Sequence, residues 1–255
     1  ELDITDLQIH DREGRVALSL PVVEAVVSWS SVVFGAVQFQ TLAFERADLD
    51  VRRHADGKLT VAGLELKKDA SSPDASNWLL GQHEVVIRDA RIEWSDELRG
   101  APTLRLDGVN LLLRNSGRQH RFALRAQTDR ALASALDVRG DFRGEDLSQL
   151  AQWSGQVYAE LDYTDLAAWR RWFDYPFELS AGSGGVRLWL GLAGGRLSEF
   201  TADVALSGVV TRLSRELPLL ELDYLRGRLG AKNAPQQTEV FGKGLALRNR
   251  QGVAM

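Results

Sequence analysis

The sequence predicts a mainly β protein of long antiparallel strands, repeatedly kinked, with a few short covering helices. Three observations carry this reading. Apolar and polar residues alternate over many stretches, tight-turn dipeptides separate those stretches, and helical periodicity is confined to short pieces. The chain has 255 residues, enough for one large β domain or two ordinary ones, with an ample core. Its 44% apolar and 26% charged composition is that of a soluble globular protein rather than a disordered or membrane one.

The strands share a pattern: two alternating apolar positions, a polar or turn-forming pair, then renewed alternation on the opposite parity. Leu2 and Ile4 give way to Leu7 and Ile9 around Thr5-Asp6, and Leu42 and Phe44 to Ala47, Leu49 and Val51 around Glu45-Arg46. Val85 and Ile87 precede Ala90, Ile92 and Trp94 around Arg88-Asp89, and Leu104 and Leu106 precede Val109, Leu111 and Leu113 around Asp107-Gly108. Val204 and Leu206 lead to Val209 and Leu213 around Ser207-Gly208, and Leu220 and Leu222 to Leu225 and Leu229 around Asp223-Tyr224. Strand side chains have a period of two, so the inserted pair reads as a bulge that bends a long strand while keeping its apolar side chains on one face. A two-residue hairpin is the competing reading, strongest at Asp107-Gly108.

Between these strands, Asp56-Gly57 and Ser116-Gly117 are hairpin turns, and "GQVYAELDY" and the run Val186, Leu188, Leu190, Leu192 are further strands. "PVVEAVVSWSSVVFG" reads as a strand through Val23, Ala25 and Val27 followed by a helical turn from about Trp29 to Phe34. "SNWLLGQ" reads as one helical turn capped by Ser76 or Asn77. "TDLAAWRRWF" is the clearest helix, with Leu166, Trp169, Trp172 and Phe173 on one face and Arg170 and Arg171 outward, ending before Tyr175-Pro176. The polar stretch 67–76 reads as a loop. The whole of 1–255 reads as one β-rich segment, with a sub-boundary near 128–154.

The chemistry-bearing residues point away from an enzyme. There is no cysteine, which excludes disulfides, thiolate zinc sites and cysteine nucleophiles. His10, His54, His83 and His120 lack metal-ligand spacing and read as surface groups. "AGSGG" at 181–185 lacks the first glycine of a nucleophile elbow and reads as a hairpin turn. Asp96 and Glu97 after Trp94 could form an acid pair for glycoside hydrolysis, but adjacent residues on an extended chain point apart, which argues against their flanking one glycosidic bond. No phosphate-binding loop is present, so no cofactor is expected. A net charge of -4 without a basic stripe argues against nucleic acid. Core packing accounts for most of the seven tryptophans. No window approaches the roughly 18–20 uncharged apolar residues of a membrane-spanning helix.

"LAFERADLDVRRHADGKLTVAGL", the long stretch from Trp78 to Ala126, "YTDLAAWRRWF" and "LPLLELDYLRGRLG" resemble the YhdP family of AsmA-like envelope proteins of Gram-negative bacteria. The likeness spreads over nearly the whole chain and carries no catalytic motif. It implies a long, curled, groove-like β-sheet in a periplasmic body anchored in the inner membrane by one N-terminal helix, and a bridge-like role in phospholipid transport to the outer membrane and its permeability barrier. On that reading this chain is an N-terminal-side segment of a longer protein. Its anchor helix lies outside the segment, and its partners are phospholipid acyl chains and neighbouring β-segments of the same longer chain. The candidate groove-lining residues are Ile87, Ile92, Trp94, Leu104, Leu106, Leu111, Leu113, Leu188 and Leu190, and the sequence leaves open which parity faces inward. Two other readings compete: an envelope scaffold or adaptor whose sheet binds a protein, and a carbohydrate-binding β-sandwich that uses exposed tryptophans.

Overall fold

A computed structural model describes residues 2–10, 16–28, 38–61, 64–65, 75–175, 177–234 and 237–249. Fifteen strands form one sheet. In chain order they are β1 (Leu2–His10), β2 (Val16–Val27), β3 (Phe39–Glu45), β4 (Asp48–Arg53), β5 (Leu59–Val61), β6 (Leu64–Glu65), β7 (Glu84–Asp96) and β8 (Ala101–Ser116). They continue with β9 (Gln119–Gln127), β10 (Leu136–Arg143), β11 (Ser154–Asp165), β12 (Glu178–Ala193), β13 (Arg196–Arg212), β14 (Leu220–Ala234) and β15 (Gln237–Asn249). One α-helix, α1 (Ala75–Gly81), and two 3₁₀ turns, Leu147–Gln152 and Ala168–Arg171, complete the described elements.

From β7 to β15 each strand pairs antiparallel with the next, a simple meander. The mainly β, curled sheet expected from the sequence is what forms, with one departure from a purely antiparallel arrangement. β7 runs parallel to β3 and β4. A parallel pair needs a crossover, and the chain through β5, β6 and α1 provides one, so β7 returns beside strands laid down about forty residues earlier. The sheet forks here: β3 stays between β7 and β2, while β4 keeps β7 but pairs on its other side with β5, touching β2 only at Ser19 and Asp48.

Five of the polar pairs are bends within continuing strands, and Glu45-Arg46 joins β3 to β4, which both run along β7. Asp6, Arg46 and Asp89 have φ of 55°, 53° and 51°, and they are the only non-glycine residues with positive φ among the described residues. Gly108 and Gly208, at 56° and 60°, occupy the same second position of their pairs. The left-handed residue turns two consecutive side chains to one side. Arg88 and Asp89 are both exposed, while Ile87 before them and Ala90 after them, the latter only 1% exposed, both face the apolar side. At Asp107-Gly108 the chain runs on through β8, so the hairpin reading fails there. Asp223-Tyr224 bends without a positive φ, through a register shift in which Leu222 and Tyr224 face the consecutive residues Asn249 and Arg248.

These bends align across strands. Asp6 sits opposite Pro21 and Pro21 opposite Arg46, as the flanking pairs Thr5 with Val22, Leu7 with Leu20 and Val22 with Glu45 fix. Arg46 lies level with Asp89, because the Arg46 amide donates to the Arg88 carbonyl and the Arg91 amide to the Ala47 carbonyl. Gly182 faces Gly208, and Gly208 faces Asp223. The sheet therefore bends along a common crease, and a proline is tolerated in it because the ladder is interrupted there. Buried side chains gather beside the crease in two clusters, one around Leu20, Val23, Leu42, Ala90 and Val109 and another around Leu179, Val186, Leu206, Val209 and Leu222.

Several expectations are corrected. "AGSGG" is no turn but the interior of β12; Gly184 has φ 148°, and a Cβ there would lie 2.1 Å from the Ala205 carbonyl oxygen, so the glycines permit a bend and a close strand approach. "TDLAAWRRWF" forms only the 3₁₀ turn Ala168–Arg171. Its indoles are pinned to different strands, Trp169 Nε1 donating to Thr164 Oγ1 (2.7 Å) and Trp172 Nε1 to the Pro102 carbonyl (3.0 Å), and Phe173 is 57% exposed. α1 begins at Ala75, ahead of both expected caps. The hairpins at Gly57 and Gly117 form as expected. The helical turn expected at Trp29–Phe34 and residues 67–74 of the expected loop lie outside the described residues.

Candidate functional site

Residues directly opposite in a ladder point to the same side, so the register defines which side chains share a face. One row runs Ile4, Val23, Phe44, Ile87, Leu111, Leu124 and on through Val138, Ala159, Leu188, Ala202 and Leu229. The next runs Leu42, Val85, Leu113, Phe122, Gly140, Val157, Leu190, Phe200, Ala231 and Val240. Neither row contains a polar side chain. Beyond the crease, Ile92 pairs with Leu106 and Trp94 with Leu104. The parity switch keeps them on the same side, where Ile92 and Leu106 pack in the cluster with Ile87.

All nine sequence-derived candidates therefore lie on one face: Ile87, Leu111 and Leu188 in the first row, Leu113 and Leu190 in the second, and Ile92, Trp94, Leu104 and Leu106 beyond the bend. Each is half-buried, neither sealed in a core nor fully in water.

The other face is ionic. Facing pairs carry Arg125 on Asp137 (3.2 Å), Arg187 on Glu160 (2.7 Å), Arg121 on Asp141 (3.0 Å) and Arg114 on Glu84 (2.7 Å), and two of the guanidinium nitrogens of Arg228 reach Asp203. The guanidinium groups of Arg139 and Arg125 hold the Asp137 carboxyl below the usual carboxylate range, and Arg228 does the same for Asp203. Trp189 lies on this face beside Tyr158, under Arg228, so it does not belong to the apolar rows.

Polar layers border the apolar face where strands end. At one border Asn115 donates to the Gln82 carbonyl (2.7 Å), its Oδ1 bonds His120 Nδ1 (2.7 Å), and His120 Nε2 meets the Gly144 carbonyl (3.1 Å) under a stacked Trp153. Gln82 ties this layer to β3 by accepting the Phe39 amide (2.8 Å). His120 is thus buried, against the surface position expected for it. At the opposite border Arg53 holds Asp96 through both oxygens, Nε donating at 2.8 Å, and the Arg99 amide caps the same carboxylate at 3.1 Å. Sequence reasoning missed both layers, although Asn115 and His120 keep the spacing of Leu111–Leu113 and Phe122, which was the available signal.

Among the described residues no three His, Asp or Glu side chains converge as metal ligands, and no helix is long and apolar enough to cross a membrane. The arrangement can shield apolar matter from water over a long strip. Fold and site together define a class: an open, curled β-sheet, apolar on one face and ionic on the other. The chain belongs to the YhdP family, a bacterial envelope family, whose model, described as YhdP protein, matches residues 1–255. No curated protein and no solved structure matches it.

Proposed function

We propose that this chain is a non-enzymatic segment of a periplasmic phospholipid conduit, held at the inner membrane by an anchor outside these residues and continued by neighbouring β-segments of the same longer chain. The observation that carries the reading is the pair of uninterrupted apolar rows crossing the sheet perpendicular to its strands, with all nine candidate residues on that face. An acyl chain laid there is drawn from water by roughly 0.8 kcal/mol per methylene, and its headgroup stays at the polar borders. Neither cofactor nor nucleic acid has a part in this. A closed, packed sandwich would favour the competing scaffold role; the described strands form a single sheet.

Photo-crosslinking residues placed at Ile87, Leu111 and Leu188 in the full-length protein test the reading. Phospholipid adducts are expected in cells at these three positions and absent at Trp189 and Arg187 on the ionic face. Equal capture on both faces, or none on either, removes the groove assignment.

A further inference from the structure

The apolar face is not uniform. Its two buried clusters lie toward opposite ends of the sheet, and β10 and β11 between them contribute no fully buried apolar side chain. Their apolar-face residues Val138, Val157 and Ala159 are half-buried. Here the floor is lowered by glycine. The near-parallel rings of Phe122 and Phe142, 10° apart in plane with centroids at 6.1 Å, both reach over Gly140, where a Cβ would meet them at 2.3 and 2.8 Å. Gly155 lies under Phe142 in the same way, at 2.6 Å. Bulky aromatic side chains are thereby laid over backbone instead of standing up into the trough.

From this geometry we infer that β9–β12 form the seat of one acyl chain, lying across the strands on the floor of Phe122, Phe142, Val138, Val157 and Leu190. The inference rests on the proposed conduit role and places its ligand in one part of the sheet. Length supports it: three inter-strand steps of about 4.8 Å give about 14 Å, and one acyl chain is roughly half of a hydrocarbon core of about 30 Å, or about 15 Å. Chemistry supports it too. Between the His120 layer and the crease, no side chain on this face of β9–β12 carries a hydrogen-bonding group, so nothing there can recognise a headgroup or a peptide backbone.

The test uses the full-length protein in cells, with photo-crosslinking residues at Val138 and Val157, Arg139 on the ionic face as control, and mass spectrometry of the adducts. Val138 and Val157 are expected to capture phospholipid several-fold more than Arg139. Gly140→Leu, which forces the two rings upright, is expected to reduce capture at Val157 several-fold while capture at Ile87 stays unchanged. Should Gly140→Leu fail to fold, Val138→Asp, read by capture at Val157, gives the same comparison by placing a charge on the floor. Phospholipid capture at Ile87 and Leu111 without any at Val138 or Val157 overturns the seat and leaves the conduit reading standing. Capture of a polypeptide at Val138 also overturns it, and capture nowhere on the face removes the conduit reading itself.

Discussion

Single side chains decide how the borders of the apolar face hold. Asp96 has a side chain only 2% exposed and is neutralised by Arg53. Hydrogen bonds from Arg53, reinforced by the Arg99 amide, hold its carboxyl below the usual carboxylate range. A carboxylate with a depressed folded-state pKa stabilises the fold above the ordinary aspartate value, and that contribution disappears as pH falls through the depressed value. Asp96→Asn is therefore expected to lower stability near neutral pH by about 1–3 kcal/mol, and the gap from the parent protein should close in acid. Urea denaturation across that range checks it; a gap independent of pH would show that the charge is not what matters. The sequence showed Asp96 only as a member of an acidic dipeptide, because its partner Arg53 is brought close by the parallel pairing of β4 with β7. His120 was misjudged for a related reason. It sits among polar neighbours in sequence, Gln119 and Arg121, yet its side chain shares the apolar parity of Phe122 and meets Asn115, Gly144 and Trp153 from three other segments.

At the scale of elements, the crease is written in local sequence. The polar pair and its parity switch are visible at six places, and five of the six pairs place their second residue in the left-handed region. A non-glycine residue there is strained by roughly 1–2 kcal/mol, which makes the bends separable by mutation. Gly208 has open space where a Cβ would go, so Gly208→Ala tests the backbone alone and is expected to cost about 1 kcal/mol. Asp89→Gly is expected to be close to neutral, since relief of strain offsets the greater freedom of the unfolded glycine chain. Chemical denaturation of both variants checks the pair, and equal losses would mean that the aspartate side chain holds the bend. What local sequence could not disclose is a choice made by distant anchors. The helix expected at Trp169 gives way because its indoles bond to Thr164 and Pro102, and the 181–185 glycines read as a turn because the neighbouring strand that needs them close, β13, is not visible from within that stretch.

At the scale of the whole molecule, the fold class was legible because one strand design is reused so often that alternation alone implies a sheet. That the nine candidates share one face was legible too, since every chosen side chain obeys the same parity rule, whereas which parity faces inward was left open by alternation alone. The floor of β9–β12 was not legible, because it arises from register between strands, which sets Phe122 beside Gly140 and Gly140 beside Val157. Among the described residues β15 is the last strand at one margin of the sheet, with Val240 79% exposed and Phe241 and Leu245 also in water. Such a margin is a template for strand addition. The isolated 255-residue chain is accordingly expected to self-associate, and Val240→Lys to shift it toward monomer in sedimentation velocity; an unchanged distribution would place the association elsewhere. The shared level of the bends carries one more consequence. Where the bends align, each strand carries its own fold line at the height its neighbours use, so a duplicated hairpin of bent strands could be spliced in there and extend the same pleat without reworking any existing strand. Length becomes an evolutionarily cheap variable in such a protein, whereas a single residue inserted between a hairpin tip and its fold line would put that strand out of step with every other.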